Sequence, residues 1–189
     1  MDSESKNLEA SSKGIGDPID VTNIQIIINT DKIKREYSNE GSKDPANPTE
    51  IGHQYQYMVS SSLAGSTGSG STDLIVNAAY GDFVRLYAIS EYANSENAVI
   101  IYNIQRTGGA DVFNDFRSGL FNMPGIQASR ENPLPIQHVD EIIHWYNQAD
   151  VIGNGAANYN ISFALYTADR RSHSMNLIGY FVMKPTFII

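Results

Sequence analysis

The sequence contains no cysteine, which excludes disulfide bridges, thiolate nucleophiles and thiolate metal ligands. It also lacks any run approaching the roughly 18 apolar residues that a membrane-spanning helix needs. Residues 1–20 have no apolar stretch that could serve as a signal peptide. We therefore expect a cytoplasmic protein that does not enter a membrane.

Clusters of positive charge are missing as well. The chain has 13 Lys and Arg against 21 Asp and Glu, a net charge of −8. Only Lys32–Arg35 and Arg170–Arg171 bring basic residues close together, and solvated turns explain both. Nucleic-acid binders present clustered Lys and Arg, so we expect no nucleic-acid partner.

Motifs for metal binding or catalysis are scarce. The four histidines share no His-Glu-x-x-His spacing: His53, His138, His144 and His173. His138 and His144 could supply zinc ligands together with Asp140 and Glu141, but histidines on a solvated surface are the interpretation we prefer. The glycine- and serine-rich residues 65–72 are followed by an apolar strand pattern, not by the helix that a nucleophile elbow or a phosphate loop requires. We predict no enzyme, no metal and no cofactor.

Calcium is a further alternative, because oxygen ligands lie near the predicted strand ends at Asn29, Asp31, Asp73 and Asp82. The Asp-x-Asp-x-Asp-Gly spacing of a calcium loop is absent. Side-chain capping of turns explains these residues without a metal, and we prefer that interpretation.

What the sequence does contain is a series of short strand patterns. At 189 residues, 41% hydrophobic and 18% charged, it fits one folded domain, which we place at residues 21–189 after a mobile polar tail at residues 1–20. Period-two or β-branched segments predict strands at 23–29, 54–59, 73–80, 82–89, 97–104, 158–167 and 175–183. Gly81 and Asp82 predict a hairpin or a tight sheet corner. Asp31–Tyr37 predicts a short helix with Asp31 as N-cap.

Residues 105–150 are ambiguous, because Val139, Ile142, Ile143 and Tyr146 fit helical spacing while His144–Tyr146 also suits a strand. Their strand-forming neighbours favour a strand. The chain therefore predicts an all-β fold, a single-domain antiparallel β-sandwich of seven to nine strands with a short helix and long loops.

Several segments together resemble one protein family. They are the Ile-rich strand ending at Asp31, Asn47-Pro48-Thr49 followed by Tyr57-Met58, the glycine-rich loop leading to Asp73-Leu74, Gly81-Asp82 with Ser90-Glu91, and Asn97–Tyr102. In this pattern the chain is similar to the AidA/PixA family of bacterial inclusion-body proteins. Near the C-terminus Gly179-Tyr180-Phe181 matches too, but Val182-Met183-Lys184-Pro185 keeps only the proline of the family's Trp-Asp-Pro.

The resemblance implies a bacterial protein without a known enzymatic mechanism, of a kind that in some cases accumulates as cytoplasmic crystalline inclusions and in some is controlled by quorum sensing. The family prototype is rich in methionine, whereas this chain has five, so a methionine-storage role does not carry over. We expect a self-associating protein, a homodimer or larger. Ile24–Ile28 and Phe187–Ile189 are the apolar segments considered for its interface, although the first suits a core strand better.

The alternative function is a lectin-like carbohydrate-binding module. Tyr55, Tyr57 and Trp145 would stack against sugar rings, and Asp73 or Asp82 would accept hydrogen bonds from hydroxyl groups. Strand tyrosines more often bury their rings in the core, and that interpretation stays open beside it.

Overall fold

Two β-sheets make up nearly all the regular structure in the computed structural model, which describes residues 18–37, 40–61, 66–67, 73–129, 131 and 133–189. Most of the predicted tail, residues 1–17, and most of the glycine-rich loop lie outside the described residues. The described elements are β1 (Val21–Ile28), α1 (Thr30–Tyr37), β2 (Thr49–Glu50), β3 (Gln56–Ser60), β4 (Ser66–Thr67), β5 (Leu74–Val76), β6 (Phe83–Ser90), β7 (Asn97–Gly109), β8 (Arg117–Gln127), β9 (Gln137–Asp150), β10 (Ala156–Asp169), β11 (Ser174–Met183) and β12 (Thr186–Ile188).

The sheets differ in strand order. Sheet A runs β3-β1-β6-β9-β8, and sheet B runs β2-β11-β10-β12-β5-β4. β7 also belongs to sheet B and pairs with the edge of β10 opposite to β11 and β12. The core lies between them and includes fully buried side chains from both, among them Ile26, Met58 and Leu86 from sheet A and Phe163, Phe181 and Phe187 from sheet B. The predicted all-β sandwich is confirmed.

Two details of that prediction need correction. The sheets are mixed and not purely antiparallel, because β1 pairs parallel to β6, β2 to β11 and β5 to β12. Long connections permit such parallel pairing, and sequence alternation does not report strand direction. The strand count in the described residues is twelve, above the expected seven to nine, since strands of two or three residues such as β2 and β12 are too short to show a period.

Alternation along β1 puts Ile24, Ile26 and Ile28 on the core face, and all three are fully buried. Burying each isoleucine side chain stabilises the fold by about 1.5–3 kcal/mol. β1 lies between β3 and β6, and β12, which carries the buried Phe187, lies between β10 and β5. Neither of the two segments considered for an interface therefore offers a free strand edge, and the apolar side chains of both contribute to the core.

Helix α1 begins one residue earlier than predicted and has a different cap. Asn29, not Asp31, is the N-cap: its Oδ1 accepts a hydrogen bond of 2.9 Å from the Lys32 amide. The Glu91 carboxylate accepts the amides of Thr30 and Asp31 at 2.8 Å each, so the helix N-terminus faces a negative charge. Ile33 anchors the helix in the core.

The predicted turn at Gly81 and Asp82 is a sheet corner and not a hairpin, because β5 belongs to sheet B and β6 to sheet A. Gly81 has φ +88°, a conformation that glycine adopts without strain. Residues 105–150 are strands where they are regular, so the preferred interpretation of that region is confirmed. No helix in the described ranges is long and apolar enough to cross a membrane.

Candidate interaction surface

The two tyrosines predicted to bind sugar do not share a face. β3 begins only at Gln56, and Tyr55 belongs to a 3-10 turn, His53–Tyr55, that breaks the expected alternation. The Tyr55 ring is 1% exposed in the core, and its hydrogen bond to the Glu36 carboxylate raises the pKa of Tyr55. Tyr57 lies on the exposed face of β3, so only Tyr57 of this pair presents a ring to solvent.

The two predicted carboxylates are engaged within the fold. Asp82 is buried, and its oxygens accept the amides of Ala79 at 2.8 Å and Asp20 at 3.0 Å. Asp73 accepts the Thr186 amide at 3.1 Å. Only the hydrogen bond from Ala79 to Asp82 caps a turn as predicted, and the other two join segments that are distant in sequence. The described residues contain no group of three or more His, Asp or Glu side chains that could hold a metal ion.

Trp145, the fifth predicted residue, lies on a different feature. β9 pairs with β6 only from Asn147 to Asp150, whereas its pairing with β8 continues to Gln137. Residues 119–127 of β8 and 137–146 of β9 therefore leave sheet A as a two-stranded extension, which we call the ribbon. Trp145 is its first core-side residue beyond the β6 pairing.

The ribbon continues the core face of sheet A into solvent. Ala149 and Asn147 are buried where β9 faces sheet B, and the next residues of that face, Trp145 and Ile143, are 42% and 66% exposed. Leu120 pairs with Trp145 across the ribbon and is 60% exposed. Three large apolar side chains thus share a largely exposed face.

The opposite face of the ribbon carries a row of aromatic side chains. His144 stacks on Phe121 with ring centroids 4.9 Å apart, and Phe121 lies 5.7 Å from Tyr146. The Arg85 guanidinium sits 5.0 Å from the Tyr146 ring centroid and joins this row to sheet A. These contacts join the near end of the ribbon to sheet A, while His144 and Met123 on the same face stay exposed.

A groove of about 350 Å³ runs beside that face. Ile143 and Trp145 of the ribbon line one side, and Ala88 of β6 with Val99 and Ile101 of β7 lines the other. The groove forms because β9 separates from β6 after Leu86, although β6 itself continues to Ser90.

The outer edge of the ribbon is unprotected by charge. β8 is the last strand of sheet A, and residues 118–129 carry no ionisable side chain. Edge strands of soluble proteins usually carry charges, bulges or proline that prevent pairing with other chains. In β8 the only such feature is Pro124, at the register shift between Met123 and Gly125. Residues 118–123 therefore form an edge that has neither charge nor proline.

Sequence reasoning found Trp145 but missed its neighbours Leu120 and Ile143. The uncharged stretch from Ser118 to Ser129 is not a distinctive signal, because residues 51–72 and 151–168 also lack Asp, Glu, Lys and Arg and are longer. Leu120 and Ile143 were missed because helical and extended interpretations of residues 105–150 place different residues on one face.

Comparison with known proteins agrees with the fold. The family model of PixA, inclusion body protein, matches residues 20–189. The crystal structure of an inclusion body protein (PixA) from Burkholderia cenocepacia J2315 is similar, with a TM-score of 0.77 and 27% identity over 93% of this chain and 99% of that one. No curated protein matches. The chain belongs to the PixA family of inclusion body proteins.

Proposed function

We propose that this protein is a non-enzymatic, self-associating member of its family, and that its copies pair through the ribbon. The observation that carries the proposal is the uncovered core-side face with Leu120, Ile143 and Trp145 next to an uncharged edge strand. The occupant we assign to this surface is a second copy of the same chain.

The ribbon itself argues for a partner. An isolated two-stranded ribbon is marginally stable in water at best, and it gains stability when further strands or an opposing surface cover it. Most of residues 119–127 and 137–146 have one neighbouring strand. A second ribbon supplies the missing strand, because two β8 edges can join about a twofold axis into one continuous sheet, in which the Leu120 side chains of the two copies lie on one face.

The absence of charge along β8 favours another copy over a different partner class. A strongly acidic or basic partner requires complementary charges, and residues 118–129 have none. Two identical uncharged edges approach without repulsion, although each chain carries a net charge of −8. A contact between two identical edges is isologous, so it forms a closed dimer. Larger crystalline inclusions in the cytoplasm then grow by further contacts between dimers.

Size-exclusion chromatography with light scattering over a hundredfold range of protein concentration tests the proposal. We expect a dimer or larger species for the wild type, and dissociation of that species to monomer in the double variant Leu120→Glu/Ile143→Glu. A matched control is Val59→Glu/Ile75→Glu, which adds the same charge at side chains that are 44% and 40% exposed on other strands. A monomeric wild type at all concentrations would refute self-association, and a dissociated control with an intact ribbon variant would refute the ribbon as the interface.

The cysteine-free sequence allows the twofold axis to be located directly. Single-cysteine variants at each position from Ser118 to Met123, oxidised in dilute solution, should form disulfide dimers at one or two neighbouring positions. Only residues whose Cα atoms approach their own copies to about 4.4–6.8 Å can form the bond without distortion. Val59→Cys serves as the control. Equal crosslinking at all positions and at the control would show random collision in place of a defined interface.

A further inference from the structure

The outer face of sheet B carries a groove of about 470 Å³ that is separate from the ribbon. Asn103 and Gln105 of β7 lie in it beside Asn160 and Ser162 of β10. The strand register pairs Gln105 with Asn160 and Asn103 with Ser162, so these four side chains form two adjacent rows on one face. We call these four residues the amide floor.

The floor's hydrogen-bonding groups are available to a ligand. The Asn103, Gln105 and Asn160 side chains make no hydrogen bond to another residue in the described part of the chain. A carboxamide offers donors and an acceptor together, which matches a hydroxyl group that both donates and accepts. Three such amides on one face therefore complement a ligand with several hydroxyl groups.

One wall of the groove is the loop at residues 45–48, which a hydrogen bond holds in place. Tyr102 donates a hydrogen bond of 2.9 Å to the Pro45 carbonyl and thereby ties the loop at residues 45–48 to β7. The Tyr102 and Tyr180 rings meet edge to face, with centroids 5.5 Å apart, and Tyr102 remains 40% exposed. These contacts fix the loop beside the amide floor, and Tyr102 itself does not line the groove.

Charge at the groove is neutralised. The Lys184 ammonium lies 2.5 Å from the Glu50 carboxylate, and the floor itself is uncharged. A phosphate or another polyanion would have to compete with that carboxylate in a chain of net charge −8. The chemistry of the groove therefore favours a neutral ligand.

We infer that this groove is a binding site for a neutral saccharide, whose hydroxyl groups bond to the amides of Asn103, Gln105 and Asn160. The site lies on sheet B, whereas the loop-rim residues considered from the sequence do not come together. It is independent of the proposed self-association, which uses sheet A.

The test is a glycan array of neutral and anionic oligosaccharides probed with the fluorescently labelled full-length protein, followed by calorimetric titration of the strongest hit. We expect neutral glycans to bind, and the double variant Asn103→Ala/Asn160→Ala to weaken that binding by about tenfold or more through the loss of two side-chain amides. The matched control is Asn176→Ala, which removes an exposed amide at the end of β11 away from the groove and should bind like the wild type.

Three outcomes would overturn the inference: no binding to any glycan, binding confined to anionic glycans, or unchanged affinity in the double variant. Near-ultraviolet circular dichroism of the variants verifies that they fold. Failure here leaves the assembly proposal intact, because Leu120→Glu/Ile143→Glu changes oligomeric state without touching the amide floor. That variant should retain the affinity for a single soluble oligosaccharide.

Discussion

β9 and β10 are both 14 residues long, yet they have different environments. In β10 the residues Ile161, Phe163 and Leu165 are fully buried, because β7 and β11 flank the strand and sheet A covers it. In β9 Ile143 and Trp145 are 66% and 42% exposed. Alternation indicates which residues share a face, and burial depends on whether something in the fold covers that face.

The largest effect that can test this contrast comes from a cavity in the core between the two sheets. We call the two sheets without the ribbon the body of the sandwich. Phe163→Ala removes a fully buried ring that stacks on Phe181, with centroids 5.8 Å apart. We expect a loss of about 3–5 kcal/mol in the free energy of unfolding. Urea denaturation measures it, with Ile143→Ala as the control from β9. A similar cost for the two variants would contradict the distinction between body and ribbon.

A smaller effect is expected where the body holds a buried polar group. Asn97 is 1% exposed; its Oδ1 accepts hydrogen bonds of 2.9 Å from Lys34 Nζ and Thr167 Oγ1, and its Nδ2 donates one of 2.9 Å to Thr30 Oγ1. Asn97→Ala should cost about 1–3 kcal/mol, because Lys34 and Thr167 lose their shared acceptor and the Thr30 hydroxyl keeps only its hydrogen bond to Glu91.

Thermal and urea unfolding measure that cost, and Asn176→Ala, which removes an exposed amide, should stay near wild type. If Asn97→Ala left the free energy of unfolding unchanged, the hydrogen bonds of Asn97 would not anchor α1 to the body.

Alkaline pH should weaken the body through Tyr159, a ring that is 3% exposed. Burial raises the pKa of Tyr159 from 10.0 to about 12. The unfolded chain therefore releases this proton first, so the free energy of unfolding should fall as pH rises from about 10 to 12.

Unfolding curves measured across that range should show a shallower decline for Tyr159→Phe than for the wild type. Tyr80→Phe, whose ring is 66% exposed, is the control and should keep the wild-type slope. Equal slopes in all three proteins would rule out Tyr159 as a contributor.

The smallest effect is expected on the ribbon. Leu120→Ala should change the unfolding free energy of the dilute protein by less than about 0.5 kcal/mol, because the side chain is 60% exposed. The same substitution should cost more at concentrations where copies associate, since assembly adds to apparent stability. Hydrogen exchange of the β8 amides, slower in concentrated than in dilute wild-type protein, provides a second measurement. A large cost in dilute solution would mean that Leu120 already packs within its own chain.

Much of the fold could be predicted from local pattern. Ile24, Ile26 and Ile28 alternate, and all face the core, because a strand directs every second side chain to one side. The break at Tyr55 could not be predicted, since a 3-10 turn and a strand both accommodate His-Gln-Tyr, and tertiary packing chose the turn. The N-cap is Asn29 and not the predicted Asp31 for a similar reason. The Asp31 carboxylate accepts a hydrogen bond of 2.5 Å from the Tyr92 hydroxyl, a contact between distant segments.

The candidate surfaces were less accessible from sequence. Of the five residues predicted for a site, only Trp145 lies on the ribbon, and none belongs to the amide floor. The floor combines β7 and β10, which are separated in sequence by β8 and β9, so its amides become neighbours only through strand pairing.

By itself the sequence determined the all-β class, the core faces of strands such as β1 and β10, and the family, because these depend on side-chain period and local turn chemistry. Only the tertiary structure decided which strands pair in parallel, where β9 leaves β6, and which apolar and amide groups remain uncovered. Those properties depend on contacts between distant segments, and the free energy of such contacts is not encoded in any single stretch of the chain.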